Sequence, residues 1–219
     1  MPTHTAIKLS TPKSKSPRNL MGGNPILPKG QELPRCRNCG EKQLLFFQFD
    51  IEDRLALPFE SGSHLVVMMC PKCNDIPSFN YLAGGTLPPA FWNSESPHAF
   101  AALWPPGTAL AEVETHPYLK PFELTFVLSG PSDPAKSLRV GGDPRWLQDP
   151  LAFVCACGAP MRFLCQLSEN LPFPTQAGAP PQPNSFSKSD YCLCLGNEIY
   201  VFVCSKRCSA RAVWIATQS

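Results

Sequence analysis

Short apolar runs, each close to a cysteine pair, are the dominant hydrophobic pattern along this chain. Two such runs, QLLFFQFD at residues 43–50 and HLVVMMC at residues 64–70, lie in its first part. Two more, MRFLCQL at residues 161–167 and EIYVFVC at residues 198–204, lie in its second part. Because each run has strand length and is rich in aromatic and β-branched residues, we predict four buried β-strands.

Three further segments carry a weaker secondary-structure signal. FELTFVLS at residues 122–129 alternates well enough to predict another strand. SPHAFAALW at residues 96–104 predicts a short helix, with Ser96 as its N-cap and Pro97 in its first turn. Residues 209–217, after the final cysteine pair, also have helical potential.

Turns, cysteines and a glutamine accompany these strands in the same order twice. The matched landmarks are Gly22-Gly23-Asn24-Pro25 with Gly141-Gly142-Asp143-Pro144, then Cys36 with Cys155, Cys39 with Cys157, Gly40 with Gly158, and Gln48 with Gln166. Each part of the chain therefore reads as turn, cysteine pair, strand, variable loop, strand and second cysteine pair. This order predicts an internal duplication with two pseudo-twofold halves.

The duplication divides the chain into four parts. Residues 1–20, dominated by Thr, Ser, Pro and Lys, predict a disordered lead-in. Residues 21–130 form the first half with an unmatched insertion, residues 131–139 a linker, and residues 140–219 the second half. Within the second half, residues 171–190 are rich in Pro, Ser, Gln and Gly and predict an exposed flexible loop.

Composition narrows the fold class and the range of partners. The 26 prolines and 14 glycines disfavour long helices and favour short strands joined by long loops. We therefore predict an α+β fold that is mostly antiparallel β, with strand ends braced by zinc knuckles. A formal net charge of +2 is too small to indicate nucleic acid or an anionic membrane as the partner.

Cysteine usage indicates the compartment. Residues 1–20 contain no apolar stretch typical of a secretory signal, and the longest apolar runs are too short to span a bilayer. In a chain without an export signal, eleven cysteines indicate a reducing environment, where paired cysteines more often bind metal than form disulfides. We expect a cytoplasmic protein without membrane association.

The pairs Cys36-x-x-Cys39 and Cys70-x-x-Cys73 are the strongest chemical signal in the sequence. Zinc prefers four soft or borderline ligands in a tetrahedron, and thiolate sulfurs meet that preference. The two strands between the pairs would form a hairpin that brings all four cysteines together. The alternatives are unpaired buried cysteines or a redox motif, although a redox motif needs only one pair.

A CxC motif and a CxxxC motif predict a second zinc site, which gives two structural zinc ions in all. The wider spacing suits a pair that begins a helix. Cys192 and Cys194 have no match in the first half and are either alternative ligands or bystanders, whereas Cys165 takes the place of Phe47 and is expected to be a buried non-ligand. The expected ligands of the second site are Cys155, Cys157, Cys204 and Cys208.

Gln48 and Gln166 recur on otherwise apolar strands. A buried amide needs partners, so we expect these side chains to satisfy backbone groups at the interface between the repeats, with ligand contact as the alternative. No histidine belongs to a recognisable catalytic arrangement, and no loop has the pattern of a phosphate cradle. Closed four-cysteine sites leave no open position for water, so the sequence predicts no catalytic activity.

Five motifs together carry a family resemblance: Gly22-Gly23-x-Pro25, Gly141-Gly142-x-Pro144-x-Trp146, the paired cysteines, Met161-x-Phe163-Leu164-x-Gln166 and Tyr200-Val201-Phe202-x-Cys204. They resemble the YwqG-like family, and more closely its cysteine-bearing branch related to programmed cell death protein 2. The resemblance covers residues 20–75 and 139–215 and implies a duplicated, mostly β fold of the α+β type without catalytic activity. In eukaryotic relatives it implies a role in escorting a ribosomal protein of the small subunit, and the wider family also occurs as bacterial cytoplasmic proteins, some of them of immunity type.

We therefore predict a non-catalytic zinc-binding protein that acts as a protein-interaction module, such as a dedicated chaperone, adaptor or immunity-type protein. The alternative is a small-molecule binder or enzyme that uses the cleft between the two halves, with Gln48 and Gln166 facing the ligand. A third option is nucleic-acid binding by Lys72, Lys206 and Arg207 beside the cysteines, which the near-neutral charge argues against.

Overall fold

A ten-stranded sheet dominates the computed structural model, which describes residues 4–14, 17–74, 85–94, 97–115, 118–129, 138–169, 171–183, 185 and 187–219. All neighbouring strands in this sheet are antiparallel. The strands are β1 (His4–Ser10), β2 (Leu20–Met21), β3 (Ile26–Pro28), β4 (Leu44–Asp50), β5 (His64–Met69), β6 (Ala99–Trp104), β7 (Leu110–Glu112), β8 (Phe122–Ser129), β9 (Leu138–Val140), β10 (Met161–Leu167), β11 (Pro172–Pro174), β12 (Asp190–Cys192), β13 (Glu198–Cys204) and β14 (Val213–Gln218).

The strand order across the large sheet is β14-β13-β10-β9-β1-β8-β2-β4-β5-β6. Strands β3 and β7 form one separate ribbon, and β11 and β12 form another. The edge strands β6 and β14 contact each other, and the Leu103 N–H donates to the carbonyl oxygen of Ala210 at 2.8 Å. The mostly antiparallel β prediction is confirmed, as are the five predicted strands, which correspond to β4, β5, β8, β10 and β13.

Helices are few in the described ranges. They comprise α1 (Phe91–Ser94) and two 3-10 turns, Asp53–Leu55 and Leu193–Gly196. The helices predicted at residues 96–104 and 209–217 are wrong, since β6 occupies residues 99–104 and β14 begins at residue 213, while the predicted cap Ser96 lies outside the described residues. Both strands are almost wholly buried, and a short apolar run that is buried on both faces has no period that separates helix from strand. No helix among the described residues has the length and apolar content to cross a membrane.

Two segments expected to be disordered or exposed contribute to the packed structure. Residues 4–10 of the expected lead-in form β1, with Thr5 and Ile7 buried, and residues 138–139 of the expected linker belong to β9. The expected flexible loop at residues 171–190 contains β11 and a buried Phe173, and β12 begins at its end. Low hydrophobicity misled the prediction because a strand between two others gains its stability from backbone pairing as well as from apolar area.

Matching backbone hydrogen bonds occur at β4 and at β10. The N–H of Gly22 donates to the carbonyl oxygen of Phe46, and the N–H of Gly141 donates to that of Leu164, both at 2.9 Å. Each bond ties a Gly-Gly turn to the neighbouring strand, β4 in one case and β10 in the other. Both strands then carry a register shift against the next strand, in β4–β5 and in β10–β13.

The Gly22 turn permits a stringent test of the fold. Gly22 has a φ of +70°, and a Cβ added there would lie 2.6 Å from the carbonyl oxygen of Lys120, whereas Gly30 has a φ of +85° with no atom within 4 Å. Left-handed backbone costs a non-glycine residue about 1–2 kcal/mol in either place, but only Gly22→Ala adds overpacking of about 1–3 kcal/mol. In urea titrations we expect Gly22→Ala to lose at least about 1 kcal/mol more unfolding free energy than Gly30→Ala. Equal losses would contradict this packing.

Candidate metal centres

The first cysteine group, Cys36, Cys39, Cys70 and Cys73, lies at one end of the β4–β5 strand pair. Because β4 and β5 are antiparallel, the residues before β4 and those after β5 meet at the same end of the sheet. The Sγ atoms of Cys36 and Cys73 are 3.6 Å apart, those of Cys39 and Cys70 are 3.4 Å apart, and all four lie within 4.8 Å of one another. The structure therefore brings together the two pairs that the spacing predicted.

In each group, a tight turn contains the first two cysteines, Cys36 and Cys39 in one and Cys155 and Cys157 in the other. The N–H of Cys36 donates to the carbonyl oxygen of Glu41 at 2.8 Å, and the N–H of Gly40 donates to that of Cys36 at 2.8 Å. Gly40 has a φ of +76°, a conformation that glycine adopts without steric cost. The same bonds hold the second group, where Cys155 pairs with Ala159 and Gly158, the last with a φ of +80°.

The second group lies at the corresponding end of the β10–β13 pair. The Sγ atoms of Cys155 and Cys208 are 3.6 Å apart, and those of Cys157 and Cys204 are 3.5 Å apart. All four sulfurs again lie within 4.8 Å of one another. The expectation that the last pair begins a helix is wrong: a turn connects the two cysteines, and Arg207 has a φ of +50° in it.

The distances match those expected for a tetrahedral metal. With metal–sulfur bonds of about 2.3 Å, a tetrahedron places its sulfurs about 3.8 Å apart. All eleven cysteines are free thiols, and the paired sulfurs are much farther apart than the roughly 2.0 Å of a disulfide. Each group can therefore hold one metal ion with four sulfur ligands, which gives two candidate metal sites.

Backbone hydrogen bonds favour the thiolate form in both turns. The N–H of Glu41 lowers the pKa of Cys39 to about 7, and the N–H of Ala159 lowers the pKa of Cys157 to about 7. Burial acts in the opposite direction on Cys70, whose pKa is raised. Thiolates are the metal-binding form of cysteine, so each turn prepares at least one sulfur for coordination.

The remaining three cysteines lie outside both groups. Cys165 is buried in the core on β10, as predicted, and burial raises the pKa of its thiol. The side-chain amide of Asn74 donates to the carbonyl oxygen of Cys192 at 2.8 Å and accepts from the N–H of Cys194 at 2.9 Å. Through their backbones, Cys192 and Cys194 therefore attach residues 190–197 to the residue that follows Cys73.

Tyr191 makes a second attachment at the first centre. Its hydroxyl donates to the carbonyl oxygens of Cys70 at 3.3 Å and Pro71 at 3.2 Å, and its side chain is fully buried. The second centre has a weaker counterpart, since Arg207 lies 3.6 Å from a carboxylate oxygen of Glu60. No local pattern in the sequence indicates this role for Tyr191, which directly follows the predicted exposed loop at residues 171–190.

Gln48 on β4 and Gln166 on β10 make matching hydrogen bonds. The amide oxygen of Gln48 accepts from the N–H of Ile26, and that of Gln166 accepts from the N–H of Arg145, both at 2.8 Å. Both N–H groups directly follow the proline of a Gly-Gly-x-Pro turn. The glutamines therefore satisfy backbone groups, as expected, but the bonded groups lie 22 and 21 residues earlier in the chain and not across an interface between the expected halves.

The chain matches no protein-family model, and a search of curated proteins finds no match. The function must therefore be inferred from the geometry of the two centres and from the surfaces around them.

Metal stoichiometry tests the two centres directly. We expect native mass spectrometry to show two metal ions per chain, because eight cysteines form two closed four-sulfur groups. Cys36→Ser and Cys155→Ser should each lose one ion, because a hydroxyl is a poor substitute for a thiolate ligand. Cys165→Ala, the matched control, should retain both. Retention of both ions by either serine variant would contradict the assignment.

Proposed function

We propose that the protein is a non-catalytic zinc-binding protein of the cytoplasm in which two metal centres stabilise a duplicated β-fold, and that it acts as a protein-interaction module. The observation that carries the proposal is the pair of all-cysteine groups, each with four sulfurs within 4.8 Å. Four protein sulfurs saturate a tetrahedral ion, so such centres support structure and leave no position for a substrate.

The donor set favours zinc. Thiolates select zinc, copper(I) or iron–sulfur clusters over magnesium, calcium and manganese, which prefer oxygen ligands. A tetrahedral group of four cysteines that meet at two tight turns is typical of structural zinc sites. Stable thiols require a reducing compartment, which agrees with a cytoplasmic location.

The strand order supports a duplication that is longer than the sequence landmarks predict. The strand order is symmetric about the β1–β8 pair, so that β1 corresponds to β8, β2 to β9, β4 to β10, β5 to β13, and β6 to β14. Strand β1 pairs with β9 and strand β8 pairs with β2, which means that the two units exchange their first strands. We propose units that run from β1 to β6 and from β8 to β14, in place of the boundaries at residues 21–130 and 140–219.

An interaction role agrees with the surroundings of the centres. His64 is fully buried, and its Nδ1 lies 2.8 Å from a carboxylate oxygen of Asp50, so its ring is not accessible to a substrate. Lys72 is paired with Glu41 and Arg207 with Glu60, which reduces the basic surface available to nucleic acid. The resemblance to the cysteine-bearing YwqG-like branch agrees with a dedicated chaperone, adaptor or immunity-type protein.

Chelation tests the zinc centres. We expect a high-affinity chelator to remove both ions and unfold the protein, because structural zinc contributes on the order of 10 kcal/mol to folding. Addition of Zn²⁺ should restore the far-ultraviolet circular dichroism spectrum and the two-ion mass, whereas the same concentration of Mg²⁺ should not. A chelated protein that keeps its spectrum and melting temperature would exclude a structural role for the ions.

Native complex size tests the interaction role. Expressed with a tag at its natural level, the protein should elute in size-exclusion chromatography well above its 24.0 kDa and bring down one partner in near-stoichiometric amount. The Cys36→Ser variant should lose that complex, while the Gly30→Ala variant should keep it because Gly30 lies in open space. Elution as a free 24.0 kDa chain, without a stoichiometric partner, would contradict the interaction module.

A further inference from the structure

We propose that an apolar pocket beside the first metal centre binds a small neutral aromatic molecule that carries one N–H or O–H donor. The pocket has a volume of about 540 Å³, within the range of roughly 300–1,000 Å³ that is usual for small-molecule sites. It goes beyond the interaction role, and it rests on the proposed zinc site only for the shape of one wall. Its main lining residues are Gln43, Leu44, Pro71, Tyr118, Pro180 and Pro181.

Hydrogen bonds hold two parts of the pocket lining in place. Pro71, directly after Cys70, forms one part, and its carbonyl oxygen accepts the Tyr191 hydroxyl at 3.2 Å. Pro180 forms another part of the lining, and its carbonyl oxygen accepts the Tyr118 hydroxyl at 2.8 Å. Both parts are therefore preorganised, which lowers the entropic cost of binding a ligand.

The shape of the walls favours a flat ring. Three prolines from the 180–183 segment and Pro71 present rigid apolar faces without N–H donors. Tyr118 adds a largely buried aromatic ring to the same lining. An aromatic molecule can pack its faces against these rings over a large area, whereas a flexible chain would lose more conformational freedom on binding.

Gln43 gives the pocket its polar preference. Gln43 is a lining residue of the pocket and is only 2 % exposed, and its amide oxygen has no hydrogen-bond partner among the described residues. An unsatisfied buried acceptor is costly, so a ligand that donates one hydrogen bond to it gains both affinity and orientation. This unsatisfied amide oxygen of Gln43 distinguishes the pocket from a purely apolar cavity.

Charge at the rim favours a neutral ligand. Glu41 and Lys72 line the same pocket and pair with each other at 2.5 Å, so their charges largely cancel. Lys42 is exposed, and its charge is therefore screened by solvent. Apart from Glu41, Lys42 and Lys72, no charged residue lines the pocket among the described residues. A charged ligand would therefore bury an unpaired charge, which is costly.

Indole and 1-methylindole provide a matched pair of probes, because they share one ring system and only indole has an N–H. With the metal-loaded full chain, we expect saturable binding of indole in ligand-observed NMR with a Kd on the order of 1 mM or below. 1-Methylindole should bind about 3- to 10-fold more weakly, which is the effect of one hydrogen bond. Gln43→Leu should remove this preference, and Pro181→Arg should abolish binding of both probes.

Gln31→Leu is the matched control, since Gln31 lies in the turn after β3 and does not line the pocket. It should keep the wild-type preference for indole. The proposal is overturned if indole does not bind saturably, if Gln43→Leu retains the preference, or if only a tryptophan-containing peptide binds. Every variant is first shown to carry two metal ions, so a negative result here leaves the zinc proposal intact.

Discussion

The antiparallel pairing of β1 with β8 is the contact on which the rest of the structure depends. It joins seven residue pairs, from His4↔Ser129 to Ser10↔Glu123, and places the beginning of the chain against a strand more than a hundred residues away. Each of these strands then pairs outward, β1 with β9 and β8 with β2, so the ten-stranded sheet is continuous only through them. Neither side of the sheet has a complete set of strands from its own stretch of sequence, and two independent domains are therefore the wrong description.

Loop contacts at the strand ends also join the first part of the chain to the second. Tyr191 on β12 donates to the backbone at Cys70, and Asn74 pairs with the backbone on both sides of Leu193. In the opposite direction, Glu60 of the β4–β5 loop reaches Arg207 between the last two cysteines. The buried contacts at the first centre carry more energy than the half-exposed ion pair at the second, because solvent screens the latter.

Sequence reasoning located the chemistry better than the sheet. Each cysteine pair is adjacent to a strong apolar run, so local spacing was sufficient to predict both thiol groups and the strands that position them. Strand β1 was missed because its polar residues gave no apolar signal, and only its position between β8 and β9 makes it a strand. Strand β14 was misassigned because burial on both faces removes the periodicity that separates helix from strand. Contacts such as that of Tyr191 with Pro71 join residues 120 positions apart, and no local pattern encodes them.

Each cysteine group joins the turn before one strand to the turn after its antiparallel partner, at the end of β4 and β5 in one case and of β10 and β13 in the other. Backbone hydrogen bonds already close each turn. A metal ion bound by the four sulfurs would in addition hold the two turns of a strand pair together at a single point. Pro71 directly follows Cys70 in one of these turns, and it lines the pocket together with the prolines of the 180–183 segment. A thiol group that can hold metal and a ligand-sized space therefore lie side by side at the end of β4 and β5.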